Sequence, residues 1–289
     1  AWQNILRSSS APWKQEEVAD GMSSASPNCR QWLRSPGCPE RGSSLQSVAV
    51  DAALLEELAK AEHDPRAATR LLNSLAKDGR SDISAKVLEW LELVGAEVNV
   101  FHYGAVLNAC ARGGDWVKAL GLLRAMRRGM IEMNTITSSA AISACEKAGE
   151  WMQALDLLGT LVYDEIELDT IMYSAIISAC GKGGEWVKAL ELLSTMIESR
   201  VLMDRIVYNT GISACEKGGQ WVKALELMKM MGRDSIAMGT ITFNAAISAC
   251  EKGGAWVKAL ELLGLMAEHG IDMSTVTYNA AISACEKCG

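Results

Sequence analysis

One interval governs this chain. The motif Ile-Ser-Ala-Cys ends at Cys145, Cys180, Cys215, Cys250 and Cys285, each 35 residues beyond the last, and Ala-Cys at Cys110 sits one interval earlier. The tryptophans Trp116, Trp151, Trp186, Trp221 and Trp256 keep the same spacing. Self-similarity at a fixed interval of about 20 to 50 residues marks a solenoid, in which each unit buries its apolar face against its neighbours. The units run 65–99, 100–134, 135–169, 170–204, 205–239 and 240–274, with a truncated seventh from Thr275.

Each unit reads as two helices. In the clearest copy the first spans about Ile241 to Lys252 and stops at Gly253-Gly254, where glycine takes the left-handed conformation that closes a helix. The second begins beside Trp256 and places Ala259, Leu260, Leu262, Leu263 and Met266 on one apolar stripe. Asp115, Glu150 and Glu185 stand before its tryptophan in other copies, which suits the positive end of a helix dipole. A short loop carrying Ile131, Ile166, Val201, Ile236 or Ile271 leads onward. The expected fold is all-α, a solenoid of antiparallel helix pairs.

What precedes and follows the units is less regular. Residues 1–48 are rich in Ser, Pro, Gly and Arg without helical periodicity, and read as a disordered leader. An alternative is the remnant of an organelle-targeting segment, against which Glu16, Glu17 and Asp20 count. Within 49–64, Asp51 to Glu62 reads as a helix capping the first unit. Unit 65–99 is degenerate, with Trp90 out of register. The chain halts after the first helix of a unit, which suggests a longer parent protein.

Charge and cysteine usage narrow the function. With 28 Lys and Arg against 35 Asp and Glu, the net charge is −7, which counts against indiscriminate binding to polyanions. Any nucleic-acid partner then requires basic residues gathered on one face. No apolar run approaches the roughly 18 to 20 residues of a membrane span, so the chain reads as soluble. Six of the 9 cysteines fall once per repeat, and equivalent helices about 8 to 10 Å apart lie beyond the roughly 7 Å reach of a disulfide. They read as buried thiols. The Cys285-Glu-Lys-Cys288 spacing has no partner pair for zinc, and His63, His102 and His269 are scattered. No metal, cofactor, catalytic residue or small-molecule substrate is expected.

Successive residues lie about 100° apart around the first helix. Numbering each unit from one, positions 4, 7, 8 and 11 (Phe243, Ala246, Ile247 and Cys250 in the best copy) form the core side. Positions 2, 5, 9 and 13 gather opposite. Position 2 is apolar: Phe101, Ile136, Ile171, Ile206, Ile241 and Val276. Position 5 is small or polar: Thr69, Gly104, Ser139, Ser174, Asn209, Asn244 and Asn279. Position 9 is Asn108 and then Ser143, Ser178, Ser213, Ser248 and Ser283. Position 13 is basic throughout: Lys77, Arg112, Lys147, Lys182, Lys217, Lys252 and Lys287.

Stacked units turn these into parallel apolar, polar and cationic tracks suited to single-stranded nucleic acid. Bases insert between apolar side chains, polar groups reach base edges, and cations follow phosphates. The plain structural alternative is that the lysines merely favour a helix C-terminus and the isoleucine column is inherited by duplication. Glu146, Glu216, Glu251 and Glu286 beside the lysines weaken a phosphate track.

These residues resemble the pentatricopeptide repeat family. The resemblance rests on the 35-residue period, on Tyr208-Asn209, Phe243-Asn244 and Tyr278-Asn279, and on Lys-x-Gly, Ala-Leu-x-Leu-Leu and the later Met. It covers 100–289 closely and 65–99 loosely. Tetratricopeptide repeats use 34 residues and a different Trp, Gly and Tyr pattern. The resemblance implies a right-handed α-α superhelical solenoid that binds single-stranded RNA one base per repeat, read by positions 5 and 35. Carried over, the pairs are Thr69 with Asn99, Gly104 with Asn134, Ser139 with Asp169, Ser174 with Asp204, Asn209 with Gly239 and Asn244 with Ser274. By the family's rule they imply A-N-G-G-Y-C, with Gly104 and Gly239 departing from the usual types. Position 34, often proline in the family, is Met133, Leu168, Met203, Met238 or Met273 here.

The expected function is sequence-selective RNA binding without catalysis, in processing, stability, editing or translation of a mitochondrial or chloroplast transcript. The alternatives are a peptide-binding scaffold using the same surface, the RNA-targeting part of an enzyme whose catalytic domain lies beyond Gly289, and residence in cytoplasm or nucleus.

Overall fold

A computed structural model describes residues 64–287 together with Glu57, Leu58, Lys60 and Ala61. The expected leader, most of the capping segment, His63 and Cys288 lie outside the described residues. Glu57, Leu58, Lys60 and Ala61 are helical, with Leu58 and Ala61 buried, whereas Asp64 is already the extended N-cap of the next helix.

Thirteen helices and no strand follow among the described residues. They are α1 (Pro65–Lys77), α2 (Ser81–Leu93), α3 (Val100–Gly113), α4 (Trp116–Arg128), α5 (Thr135–Ala148), α6 (Trp151–Tyr163), α7 (Thr170–Lys182), α8 (Trp186–Glu198), α9 (Arg205–Lys217), α10 (Trp221–Arg233), α11 (Thr240–Lys252), α12 (Trp256–Glu268) and α13 (Thr275–Glu286). They fall into two compact units, Ala1–Ala109 and Cys110–Gly289, with the boundary inside α3. In the first unit α1 packs on α2. There Trp90, out of register in the sequence, is buried and fills the core. His102 is also buried; its Nδ1 accepts from Asn99 N at 3.1 Å, so Nε2 carries the proton toward the Pro65 carbonyl at 2.9 Å.

In the second unit the first helices form a continuous row, α5 on α7 on α9 on α11 on α13. The second helices α6, α8, α10 and α12 each lie against their own first helix and the first helix of the next unit, and α4 lies against α5. Small residues permit that closeness: Ala144, Ala179, Ala214 and Ala249 are at most 1% exposed, and the adjoining Cys145, Cys180, Cys215 and Cys250 are fully buried. The inner core is wider than the four-position stripe read from the sequence, because the neighbouring helices also bury positions 3 and 10, and position 6 except at half-buried Thr210. On the second helix Ala189, Leu192, Leu193 and Met196 are buried, but Leu260 is 45% exposed, contrary to expectation. In earlier units Leu155, Leu190 and Leu225 at that position are only half-buried, so it lies on the edge of the stripe.

Where a glycine pair follows the first helix, as after α7, α9 and α11, it divides its work; after α5 the first place is Ala148. The second glycine is left-handed, with Gly184 at φ 81° and Gly219 at φ 63°, while Gly183 and Gly218 keep ordinary φ values of −75° and −84°. The turn closes when the residue before each tryptophan donates its N–H to the repeat cysteine's carbonyl, as from Glu185 to Cys180 at 2.9 Å. The first glycine is there for space: a Cβ on Gly218 would lie 2.5 Å from Cγ of Trp186, and one on Gly183 2.9 Å from Cγ of Trp151. Trp151, Trp186 and Trp221 therefore lie over the next unit's helix end. Of the acidic residues before the tryptophans, Asp115 caps the helix by accepting from Lys118 N, while Glu150 and Glu185 make no capping bond.

At the far end of each second helix, Met130, Glu165, Arg200 and Ser235 are left-handed without being glycine. Ile131, Ile166, Val201 and Ile236 then donate back to the buried fifth-preceding residue, from Val201 N to Met196 O at 3.1 Å for example. That closure outweighs roughly 1 to 2 kcal/mol of left-handed strain per residue.

Burial raises the thiols of Cys145, Cys180, Cys215 and Cys250 from 9.0 to about 11. A shift of that size lowers the thiolate fraction at pH 8 by about a hundredfold, and the same burial denies reagents access. Iodoacetamide at pH 8 is expected to leave these four unmodified in the native protein and to label them in urea, as read by mass spectrometry. Because the folded pKa lies above the unfolded one, their effect on stability is neutral below pH 9.0 and becomes destabilising as pH rises toward about 11.

Candidate nucleic-acid interface

The aligned row of first helices sets same-numbered residues side by side. On α9, Ile206 is 62% exposed, Asn209 half-buried and Lys217 exposed, while Val207, Tyr208, Gly211, Ile212, Ala214 and Cys215 are buried. The three lie within about 80° around the helix. The same arrangement holds along the second unit: Ile136, Ile171, Ile241 and Val276 are 60 to 70% exposed, Ser139, Ser174 and Asn244 half-buried, and Lys147, Lys182, Lys252 and Lys287 exposed. Arg112 is exposed and Asn279, on the last helix, is exposed as well. In the first unit Phe101 is 66% exposed, Thr69 half-buried and Gly104 buried with no side chain to offer.

Position 35 carries a duty the sequence did not show. Asn134, Asp169, Asp204 and Ser274 are N-caps of the following first helix, accepting from Thr137 N (3.0 Å), Met172 N (2.8 Å), Val207 N (2.9 Å) and Thr277 N (3.4 Å). Asn99 accepts from Phe101 N at 3.0 Å. Gly239 has no capping side chain, and its N–H is instead accepted by Thr242 Oγ1 at 3.3 Å. Asp169 and Asp204 each cap with one carboxylate oxygen. The other oxygen is left to accept from donors such as the N1–H and N2–H₂ groups of a guanine edge.

Position 5 differs by residue type. The hydroxyls of Ser139 and Ser174 donate to Ile136 O (3.1 Å) and Ile171 O (2.9 Å) of their own helices. Thr69 does the same to Pro65 O. The asparagines are held by the next unit: Thr242 Oγ1 donates to Asn209 Oδ1 at 2.7 Å and Thr277 Oγ1 to Asn244 Oδ1 at 2.6 Å. Both threonines are fully buried. With its oxygen engaged, each amide offers its N–H₂ group as a donor, and Asn244 Nδ2 also reaches Ser274 Oγ at 3.4 Å. Where position 5 is serine, the facing residue is Met172 or Val207 rather than threonine.

The cationic row is not uniform. Lys182 pairs with Glu146 at 2.9 Å, Lys252 with Glu216 at 2.9 Å and Lys287 with Glu251 at 2.8 Å, each across a unit boundary. Lys287, followed by Ser283, holds the Glu251 carboxylate below the usual range. Lys147 instead donates to the Arg112 carbonyl at 2.7 Å. The expected phosphate row is thus partly occupied by the protein's own carboxylates. No group of His, Cys, Asp and Glu side chains fit to hold a metal occurs among the described residues.

Comparisons with known proteins agree with this arrangement. The chain is similar to the pentatricopeptide repeat protein PPR10 from maize at 25% identity and a TM-score of 0.61, over 78% of this chain and 32% of that one. It therefore spans about a third of that relative's length. It resembles in fold nuclear proteinaceous RNase P 2 from Arabidopsis thaliana (15% identity, TM-score 0.57, 66% of this chain and 44% of that one). It likewise resembles the PPR domain of Arabidopsis thaliana protein-only RNase P 1, solved in complex with tRNA (14% identity, TM-score 0.55, 62% and 95%). No curated protein matches. A family model described as pentatricopeptide repeat-containing protein matches residues 67–196, one for the pentatricopeptide repeat domain matches 226–287, and one for the PPR repeat matches 206–236. With models of one repeat type matching most of residues 67–287, and the helix pairs and 35-residue register above, the chain belongs to the pentatricopeptide repeat family.

Proposed function

We propose that the chain binds single-stranded RNA sequence-selectively, one base per unit, with the exposed first-helix face as the binding surface. The observation that carries this is the side-by-side repetition of an exposed branched residue, a fixed polar group and a cation on α5, α7, α9, α11 and α13. Bases intercalate between the position-2 side chains, and the position 5 and 35 groups meet their edges. The Ser–Asp pairs offer carboxylate acceptors to guanine, and Asn209 and Asn244 offer amide donors to pyrimidine acceptors. Membership of the family supports the reading. The proposed setting is processing, stability, editing or translation of an organellar transcript.

A salt titration tests it. Affinity for a single-stranded RNA containing AUGGUC is expected to fall with salt, with a log–log slope of at most about −4 if all six cations from Arg112 to Lys287 meet phosphates, at about −0.7 per contact. A duplex of the same sequence is expected to compete poorly. Binding to peptides with no RNA binding at any salt would replace the reading with that of a scaffold.

A further inference from the structure

We propose that the carboxylates at position 12 set the strength of phosphate binding along the cationic row, and that the gap at Gly181 makes Lys217 its principal phosphate anchor. This rests on the RNA reading above and specifies where along the track the backbone is gripped.

Each glutamate of the ladder serves the following unit. Glu146 takes both Lys182 (2.9 Å) and the hydroxyl of Ser178 (2.8 Å), and Glu251 takes Lys287 (2.8 Å) and Ser283 (3.0 Å). Glu216 takes Lys252 at 2.9 Å. These carboxylates are shielded, at 26%, 18% and 20% side-chain exposure, while their lysines remain more open. A phosphate approaching such a lysine meets an ammonium already neutralised, with a second negative charge about 3 Å behind it. Such a lysine neutralises a phosphate poorly and so displaces few of the counterions condensed on the RNA, adding little to the salt slope.

Two rungs are missing, at Ala111 ahead of Lys147 and at Gly181 ahead of Lys217. In unit 170–204 position 12 is Gly181, so Ser213 and Lys217 on α9 face no carboxylate, and neither has a side-chain partner among the described residues. Lys147 faces no carboxylate either, but its ammonium donates to the Arg112 carbonyl at 2.7 Å, which leaves Lys217 as the member of the row from Lys147 to Lys287 with neither a carboxylate nor a carbonyl partner among the described residues. Lys217 belongs to unit 205–239, the unit of Asn209 and Gly239, and follows the Ser174–Asp204 pair in the chain. The tightest phosphate contact is therefore expected at the backbone joining the second guanine to the following pyrimidine. A Cβ at Gly181 would meet Ala214 Cβ at 3.3 Å, a contact relieved by a shift of a few tenths of an ångström. Glutamate already occupies the corresponding place at Glu146, Glu216 and Glu251.

The test compares RNA binding and its salt slope in the whole chain carrying Gly181→Glu, the steric control Gly181→Ala, Lys217→Gln, and the triple change Glu146→Gln, Glu216→Gln, Glu251→Gln. Thermal unfolding confirms that each is folded. The parent is expected to show a slope near −2, from about three effective cations. Gly181→Glu and Lys217→Gln should each bring it about 0.7 nearer zero and weaken binding about tenfold, whereas Gly181→Ala should leave it unchanged. The triple glutamine variant should bind more tightly, with a slope approaching −4. RNA binding with equal slopes in all forms overturns the inference and leaves the RNA reading standing. Absence of RNA binding by every form removes both.

Discussion

Replacing Gly218 with alanine is expected to destabilise the array by about 1 to 3 kcal/mol, the range for overpacking a filled site. Propensity alone predicts the opposite sign, since alanine favours a helix end over glycine by up to about 1 kcal/mol. Packing decides. Gly218 has an ordinary φ of −84°, but its added methyl would lie 2.5 Å from Cγ and 2.9 Å from Nε1 of Trp186, in the preceding unit. Relief requires either tilting the indole off the helix end or moving α9 away from α8, which opens the boundary between units. The change should therefore appear in urea denaturation as a lowered midpoint, and Trp186→Ala should suppress it. In the double variant the loss should fall short of the sum of the single losses by about 0.5 to 3 kcal/mol. Gly218→Ala unfolding at the parental midpoint would show that the tryptophan does not lie where the structure has it.

The second large effect concerns base choice. Ser174→Asn is expected to weaken the preference for guanine at that unit without producing a strong pyrimidine preference, because the facing residue is Val207 and nothing holds the new amide. Adding Val207→Thr supplies the hydroxyl that Asn209 and Asn244 receive from Thr242 and Thr277 at 2.7 and 2.6 Å. The double variant should then favour a pyrimidine over guanine by about 10- to 100-fold, by analogy with the 1 to 3 kcal/mol by which well-placed side-chain contacts discriminate bases. Competition binding with RNAs varied at that single base reads both steps. Equal behaviour of the single and double variants would remove the threonine's part in fixing the amide.

The helix pairs and the outward side of each first helix were legible because each depends on spacing within one unit. The position-2 residues had to face outward once the cysteine side was buried, and Ile206, Asn209 and Lys217 do share one exposed face. What depends on the next unit was not legible. Gly183, Gly218 and Gly253 are explained by the preceding unit's tryptophan, not by their own φ. The Thr242 and Thr277 clamps follow from contacts 33 residues away. The covariation of threonine with asparagine across successive units was the available signal. Arg200 and Ser235 look like ordinary surface residues, yet their backbones are left-handed because the turn closes onto buried Met196 and Met231. The glutamates beside the lysines were visible as a liability, but their partners, one unit on, appeared only when the helices were placed side by side.

The most direct measurement is the affinity of the parent chain for AUGGUC-containing RNA against one in which both central guanines are replaced by cytosine. If Ser139 with Asp169 and Ser174 with Asp204 read those bases, affinity should fall about 10-fold or more for each, and replacing both aspartates with asparagine should abolish the difference. Equal affinity for the two RNAs would contradict the assignment of these side chains as base readers.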